Sequence, residues 1–312
     1  MDGFILFAGS ANRPLAESVA GMLGVTLGTC SVERFPDGEV SVRLEESVRG
    51  REVFVLQPTS PPVNDNLVEL LAFADACRRA AAERVTVVIP YFGYARADRR
   101  KGRRVAVAAR MVADLLQAVG IGHVVTLDVH TAQTEALFSV PVDNLSAVPV
   151  LCDAVRDRLP PDTVVVSPDL GGVGRATEMA ACLGLTTAVV HKRRVSGAEV
   201  EALGVIGDVR GRSCLVVDDM IATGSTVVEC IRALRAAGSL PGCTVAATHG
   251  VFCGDVLRRL AEAGASEVLV TDSIHLPAGG TPPPWLRVAS VAPLLASAIR
   301  RLARDESLHD LH

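Results

Sequence analysis

The sequence reads Cys214-Leu-Val-Val-Asp218-Asp219-Met-Ile-Ala222-Thr223-Gly224-Ser225-Thr226 at the junction that decides its fold. The apolar run Cys214–Val217 predicts a buried β-strand that ends at two adjacent carboxylates. The hydroxyl-rich turn Thr223–Thr226 then opens a stretch with apolar residues at helical spacing. A strand that leads directly into a helix is the repeating unit of a parallel sheet covered by helices, so this junction predicts an α/β fold.

The same alternation of strand and helix patterns runs along the whole chain. Short β-branched runs predict strands at Phe4–Phe7, Glu52–Gln57, Val85–Pro90, Val124–Asp128, Thr163–Ser167, Thr187–Val190, Cys214–Val217, Thr244–Ala247 and Glu267–Thr271. Apolar residues at i, i+3 and i+4 predict helices at Pro14–Leu23, Asn64–Arg79, Val105–Val119, Gly172–Leu183, Ser225–Ala237, Asp255–Ala263 and Val291–Ala303. Residues 39–44 alternate after a turn and predict an antiparallel hairpin. We expect two similar α/β domains, residues 1–146 and 147–312, with the last helix packing back on the first.

The strand-to-helix junction has the residue types of a sugar-phosphate site. Ligands of open α/β sheets bind outside the carboxyl ends of the strands. The N–H groups and hydroxyls of a helix N-terminus suit a phosphate. Asp218 and Asp219 then face the vicinal hydroxyls of a sugar, directly or through a metal. The alternative is that the aspartates only cap the helix, but capping needs one such residue and not two.

Composition and charge exclude several other classes of protein. The net charge of −4 and the isoelectric point near 6.0 argue against nucleic acid or an anionic membrane as the partner. No apolar run reaches the roughly 18 residues of a membrane span. The N-terminus does not have the pattern of a signal peptide. Eight scattered cysteines without a Cys-x-x-Cys pair are typical of reduced thiols, so we expect a cytoplasmic protein.

Five further motifs accompany the junction. They are Arg34-Phe35-Pro36-Asp37-Gly38-Glu39-Val40, Ile89-Pro90-Tyr91-Phe92-Gly93-Tyr94-Ala95-Arg96-Ala97-Asp98-Arg99, Leu127-Asp128-Val129-His130, Val166-Ser167-Pro168-Asp169-Leu170-Gly171-Gly172 and His191-Lys192-Arg193-Arg194. In this order and spacing the chain resembles the ribose-phosphate diphosphokinase family from about Phe4 to Leu308. The resemblance implies two phosphoribosyltransferase-like domains. It also implies transfer of the β,γ-pyrophosphoryl group of Mg-ATP to the 1-hydroxyl of ribose 5-phosphate, with AMP released.

The resemblance also implies a role for each matching residue. Ribose 5-phosphate is expected on Asp218, Asp219, Ala222, Thr223, Gly224, Ser225 and Thr226, and ATP on Phe35, Asp37, Glu39, Arg96 and Arg99. His130 and Asp169 are the expected Mg²⁺ ligands. Lys192 and Arg194 are the expected catalytic cations at the start of a mobile flap, 196–204. The Phe35–Glu39 loop is expected to reach the ATP site of a neighbouring subunit, in a homo-oligomer that is a hexamer built from dimers.

Some residues depart from the family pattern. Ala97 replaces a usual Gln, Arg104-Val105-Ala106-Val107 replaces Arg-Glu-Pro-Ile, and Ala222 replaces a frequent Asp. The C-terminal tail around Ser307 also lacks a second serine. Two alternatives stay open, and only the first of them is supported by the changes at Ala97 and Ala222. One is a non-catalytic regulatory homologue of the enzyme, and the other is a nucleobase phosphoribosyltransferase, which shares the junction but does not need the ATP-binding motifs.

Overall fold

Short apolar runs form the strands, and the amphipathic stretches between them form helices that cover the sheets. The computed structural model describes residues 3–100, 102–193, 202–276 and 282–311. The strands within these ranges are β1 Phe4–Ala8, β2 Cys30–Arg34, β3 Val40–Leu44, β4 Glu52–Leu56, β5 Arg84–Ile89, β6 His123–Leu127, β7 Val142–Leu145, β8 Val164–Ser167, β9 Thr186–Arg193, β10 Ala202–Ile206, β11 Cys214–Ile221, β12 Cys243–Gly250, β13 Ala265–Thr271 and β14 Leu286–Ala289. The α-helices are α1 Arg13–Leu23, α2 Val63–Arg79, α3 Ala108–Ala118, α4 Val148–Val155, α5 Val173–Leu183, α6 Ser225–Ala236, α7 Val256–Ala263 and α8 Ala292–Leu302.

The chain divides into two units. The N-terminal unit contains Met1–Ser146, Ser273–His275 and Ser290–His312. Its parallel sheet has the strand order β1-β4-β5-β6-β7, and β2 and β3 form a separate antiparallel hairpin. Helix α8 belongs to this unit and packs against α1, where the Arg300 side chain donates to the Met22 carbonyl at 2.8 Å.

The C-terminal unit contains Ala147–Asp272 and Leu276–Ala289. Its sheet has the order β10-β9-β8-β11-β12-β13-β14, and all neighbours are parallel except β10 and β9. Both faces are covered: in β8, Val164 and Val166 lie in one apolar cluster and Val165 in the other. This alternation is expected of a strand with two buried faces, so the predicted fold class is confirmed.

Several elements lie outside the sequence prediction. The strands β7, β10 and β14 and the helix α4 were not predicted, and the prediction of the hairpin gave no bounds for its first strand, β2. The strand β7 is short and carries the polar pair Asp143-Asn144, and β2 is largely exposed, so neither has the apolar run of a buried strand. The predicted hairpin is present because β3 pairs with β2 through the register Val32↔Val42.

The cysteines are free thiols, in agreement with the sequence analysis. Cys30 and Cys182 are partly buried and Cys253 is exposed, while the other five are buried. Burial raises the pKa of the Cys77 and Cys243 thiols to about 12, which leaves them unreactive.

Candidate active site

Three neighbouring strands of the C-terminal unit bring predicted site residues to one edge of the sheet. The strands β9, β8 and β11 are adjacent and parallel, with Ser167 paired to Val189 and Val166 paired to Val216. Asp169 follows the end of β8, Lys192 lies three residues beyond Val189, and Asp218 lies two residues beyond Val216. All three positions therefore lie beyond the level at which the central strand β8 ends, on the side of the sheet where open α/β folds bind ligands.

Two of these strands are longer than predicted. The prediction that β11 ends at Val217 is wrong, because its pairing with β12 continues to Ile221 after its pairing with β8 has ended at Val216. The aspartate pair therefore lies within the strand. Lys192 is likewise part of β9, and the unpredicted β10 pairs with it antiparallel and includes the end of the expected flap. Arg194 and the flap residues 196–201 lie outside the described residues.

The turn between β11 and α6 combines a glycine in a left-handed conformation with two neighbouring hydroxyl groups. Gly224 stands before the first turn of α6 with φ +71°, a left-handed conformation that costs other residues about 1–2 kcal/mol. A Cβ there would lie 2.5 Å from Cγ2 of Val256. The hydroxyl oxygens of Thr223 and Ser225 are 3.4 Å apart. The backbone of Ala222 accepts from the Cys253 N–H at 3.0 Å, so the loop is held without the Asp that is frequent at this position.

The two carboxylates beside this turn are in an unfavourable environment for charge. Asp219 is 5% exposed, and its N–H donates to Oδ1 of Asp218 at 2.9 Å. Burial, followed by the charge of Asp219, raises the pKa of the Asp218 carboxyl to about 8. Arg175 on α5 acts weakly in the opposite direction. A pair formed by a partly buried and a buried carboxyl gains from a cation or from the hydroxyl donors of a sugar.

Asp169 is exposed but partly engaged by its own loop. Its Oδ1 accepts from the N–H groups of Gly171 and Gly172 at 2.8 and 3.0 Å, which fixes the turn that leads into α5. Its backbone carbonyl accepts from the Ser167 hydroxyl at 2.6 Å. These bonds orient the carboxylate and use only one of its two oxygens, so Oδ2 can still serve as a ligand to a metal.

In the N-terminal unit, the segments that follow β5 and β6 are joined directly. Arg96 and Arg99 are exposed and flank Asp98, which is 8% exposed. The hydroxyl of Thr131, next to His130, donates to Oδ2 of Asp98 at 2.6 Å. The two predicted arginines and the predicted histidine thus belong to one connected surface, and His130 itself is exposed.

The β2–β3 hairpin presents its tip to solvent. Phe35 is 42% exposed, and Asp37 and Glu39 are also exposed. The tip is closed by bonds from Phe35 N–H to the Glu39 carbonyl and from Gly38 N–H to the Phe35 carbonyl, at 2.8 and 2.9 Å. At its base, Arg34 donates to the fully buried Glu69 at 2.9 Å. An exposed aromatic ring on an anchored loop is suited to stacking on a planar ligand.

Sequence reasoning missed four residues that support these surfaces. Asp98, Thr131 and Glu69 anchor the predicted ATP-binding segments, and Arg259 on α7 contacts the Thr223–Thr226 turn. Asp98 was inside a quoted motif, but nothing in the local pattern indicated its partner. The chain separations of 33 to 36 residues explain why the pairs were not found.

The described residues contain no group of three or more His, Cys, Asp or Glu side chains arranged to hold a metal ion. In the same part of the chain, no helix combines the length and the apolar character needed to cross a membrane. A magnesium ion that is bound mainly by nucleotide phosphates and water, with one or two protein ligands, does not need such a group.

Comparison with known proteins gives full-length matches. Residues 4–120 match a family profile described as the N-terminal domain of ribose phosphate pyrophosphokinase, and residues 194–312 match the phosphoribosyl synthetase-associated domain. The ribose-phosphate pyrophosphokinase of Chromobacterium violaceum is 46% identical over 308 residues, covering 98% of this chain and 94% of the relative. That of Burkholderia pseudomallei is 43% identical over 311 residues, covering 99% and 98%.

A solved structure agrees with these matches. The crystal structure of phosphoribosylpyrophosphate synthetase from Mycobacterium smegmatis has a TM-score of 0.90 and 39% identity, and the match covers 97% of this chain and 100% of that one. The resemblance inferred from six sequence motifs is therefore confirmed along the whole length. By its two domain matches, its full-length relatives and its fold, the chain belongs to the ribose-phosphate pyrophosphokinase family.

Proposed function

We propose that this chain catalyses the family reaction with the site residues expected from its sequence. The family match confirms the predicted enzyme class, a transferase that uses ATP, and does not favour the regulatory homologue. A phosphoribosyltransferase is also disfavoured, because the profile of the N-terminal pyrophosphokinase domain matches residues 4–120. The observation that carries the proposal is the hydroxyl-lined turn before α6, beside the adjacent carboxyls of Asp218 and Asp219.

Ribose 5-phosphate binds at this turn. Its phosphate accepts from the N–H groups at the start of α6 and from the hydroxyls of Thr223, Ser225 and Thr226. Gly224 has no Cβ, which allows Val256 of α7 to pack against the turn. Asp218 and Asp219 accept hydrogen bonds from the ribose hydroxyls. These bonds offset the repulsion between the two carboxylates. The substrate is thereby oriented with its 1-hydroxyl directed away from the turn.

ATP is bound by Arg96 and Arg99 through its phosphates and by Phe35 through stacking on adenine, with Asp37 and Glu39 as acceptors. His130 and Asp169 would hold the Mg²⁺ that accompanies ATP, and the ion would neutralise part of the phosphate charge. The oriented Oδ2 of Asp169 fits this role.

In the reaction, the 1-hydroxyl oxygen attacks the β-phosphorus and forms a new O–P bond. The bond between the β-phosphorus and the oxygen that bridges it to the α-phosphorus breaks, so AMP leaves and the hydroxyl proton passes to solvent. Lys192 and Arg194 neutralise the charge on the transferred group. Such transfer depends mainly on positioning and electrostatic stabilisation.

The protein acts in the cytoplasm as a homo-oligomer, a hexamer built from dimers, in which the Phe35–Glu39 loop serves a neighbouring subunit. The exposed ring of Phe35 on a loop whose base is anchored at Glu69 supports this arrangement.

The test is to incubate the purified protein with Mg-ATP and ribose 5-phosphate and to follow AMP and phosphoribosyl pyrophosphate by chromatography. We expect equal amounts of both products, with loss of both in Lys192→Ala. Arg193→Ala is the matched control, because it removes a neighbouring cation to which no role is assigned. Absence of AMP from the unmodified protein would contradict the proposal.

A further inference from the structure

Helix α7 brings a cation to the proposed phosphate turn. Nη1 of Arg259 donates to the Thr223 carbonyl at 2.8 Å, and Nη2 donates to the Ser225 hydroxyl at 3.3 Å. The same helix begins at Val256, whose side chain fills the space beside Gly224. We infer that Arg259 is a positioning residue for ribose 5-phosphate, which orients the hydroxyl donors of the turn and attracts the 5-phosphate. This inference rests on the proposed ribose 5-phosphate site.

The hydrogen-bond chemistry fixes the direction of the Ser225 hydroxyl. A guanidinium group has donors only, so the Ser225 oxygen must accept from Arg259. A serine hydroxyl has a single hydrogen, and the hydrogen of Ser225 cannot point at Arg259 because the guanidinium group accepts no hydrogen bond. It remains available to the neighbouring Thr223 hydroxyl or to a phosphate oxygen. Arg259 therefore holds Ser225 as a phosphate donor before the ligand arrives, which lowers the cost of ordering the site.

The charge of Arg259 has no close ion pair among the described residues, and Asp255, one helical turn away, compensates it only at longer range. Its chain neighbour Arg258 is exposed and forms ion pairs with Asp255 and Glu262 on the same helix. Within the ranges that the structure describes, no carboxylate forms an ion pair with Arg259, and its hydrogen bonds are to uncharged acceptors. A phosphate monoester carries a charge of about −1.5 to −2 at neutral pH. The positive charge of Arg259, which is in direct contact with the turn, attracts that group.

The contacts of Arg259 distinguish substrate positioning from general stabilisation. Both of its side-chain bonds go to the turn, so its removal leaves the ATP-binding surface of the N-terminal unit unchanged. We expect the Michaelis constant for ribose 5-phosphate to rise and the constant for ATP to stay close to its original value. Arg258 is the matched control, since it has the same side chain in the same helical turn but no contact with Thr223 or Ser225.

The experiment compares Arg259→Gln, Arg259→Lys and Arg258→Gln with the unmodified protein in the AMP-release assay. In Arg259→Gln the Michaelis constant for ribose 5-phosphate should rise about tenfold, the usual effect of losing a hydrogen bond to a charged group. The factor by which this Michaelis constant rises should exceed the factor by which kcat falls. Arg259→Lys keeps the positive charge but lacks the planar guanidinium group. This variant should therefore recover part of the affinity for ribose 5-phosphate that Arg259→Gln loses. Arg258→Gln should match the unmodified protein.

Two results would overturn the inference while the proposed function stands. One is an active unmodified protein with an unchanged Michaelis constant for ribose 5-phosphate in Arg259→Gln. The other is an equal effect of Arg258→Gln. If thermal unfolding shows that Arg259→Gln does not fold, Arg259→Lys decides, and an unchanged constant in that variant refutes the inference. An inactive unmodified protein instead refutes the proposed function.

Discussion

The hydroxyl of Thr131 donates to the carboxylate of Asp98 at 2.6 Å and links two loops that follow neighbouring strands. Asp98 stands between Arg96 and Arg99, and Thr131 stands next to His130, so one bond connects three proposed nucleotide-binding residues. Since the Asp98 carboxylate is almost completely buried, this bond also satisfies a charge that water cannot reach freely.

We therefore expect Thr131→Val to weaken ATP binding. The substitution keeps the shape of the side chain but leaves the buried acceptor without its donor, at a cost of about 1–3 kcal/mol in the free energy of unfolding. The Michaelis constant for ATP should rise severalfold, and that for ribose 5-phosphate should change little. Thr131→Ser retains the hydroxyl and should behave like the unmodified protein. An unchanged ATP constant in Thr131→Val would show that the bond does not organise the nucleotide surface.

The raised pKa of Asp218 predicts an unusual dependence of stability on pH. In the unfolded chain this carboxyl ionises near its ordinary pKa, whereas in the folded protein it holds its proton up to about pH 8. Between these values the folded state binds more protons than the unfolded state. The contribution of Asp218 to the free energy of unfolding therefore falls as the pH rises from about 4 to 8.

The variant Asp218→Asn has no charge to bury. In the absence of ligands and Mg²⁺, this variant should be more stable than the unmodified protein. The difference in the free energy of unfolding between the two should be larger near pH 8 than near pH 5, by about 1 kcal/mol or more. Thermal unfolding at the two pH values measures this difference. Asp157→Asn, which neutralises an exposed carboxylate of the same unit, should show no comparable trend. Equal pH dependence of Asp218→Asn and the unmodified protein would refute the prediction.

Alanine substitutions at Gly224 and Gly211 should separate the cost of backbone strain from the cost of a steric clash. Gly224→Ala combines a left-handed backbone at φ +71° with a methyl group 2.5 Å from Cγ2 of Val256. Gly211→Ala introduces similar strain at φ +68°, but nothing lies within 4 Å of the added carbon. Both should lose about 1–2 kcal/mol from strain. Only Gly224→Ala should lose more and also raise the Michaelis constant for ribose 5-phosphate. Equal losses would mean that the turn relaxes around the added methyl group.

The proposed intersubunit loop predicts complementation between inactive variants. Phe35→Ala removes the stacking ring, and Lys192→Ala removes the catalytic cation. If the loop serves a neighbouring subunit, co-expressed mixed oligomers contain some sites with both groups intact and regain activity. A mixture of Lys192→Ala and Asp218→Asn, whose changes both lie in the C-terminal unit, should not recover. Failure of the first mixture, with mixed oligomers verified by two affinity tags, would place the loop within its own subunit.

The sequence predicted the fold class because strand and helix patterns are local properties. The apolar run at Cys214–Val217 and the hydroxyl-rich turn after it were sufficient to identify a strand, a turn and a helix in order. The end of β11 was not predictable, because its extension to Ile221 depends on pairing with β12, and Asp218 and Asp219 do not resemble strand residues. The sequence analysis placed Lys192 after β9 and not within it for the same reason. The strand β10, which pairs with β9 at this point, has only a weak strand pattern.

Sequence reasoning could propose site residues where they stand together in a motif, and it overlooked supporting residues that are distant in the chain. Asp218, Thr223 and Ser225 are near one another in the chain, so their chemistry can be read directly. Arg259 and Thr131 reach their partners through folding alone. Each has an ordinary local environment, and no spacing rule relates Arg259 to Thr223 or Thr131 to Asp98.

The packing of α8 against α1 has a consequence for biosynthesis. The two helices come from opposite ends of the chain, and Leu308, beyond α8, is 5% exposed. During translation the N-terminal unit emerges first but lacks this helix, while the elements of the C-terminal unit emerge between its parts. Of the two units, the one that emerges first is thus the last to be completed, and its α1 surface stays uncovered until α8 has been synthesised.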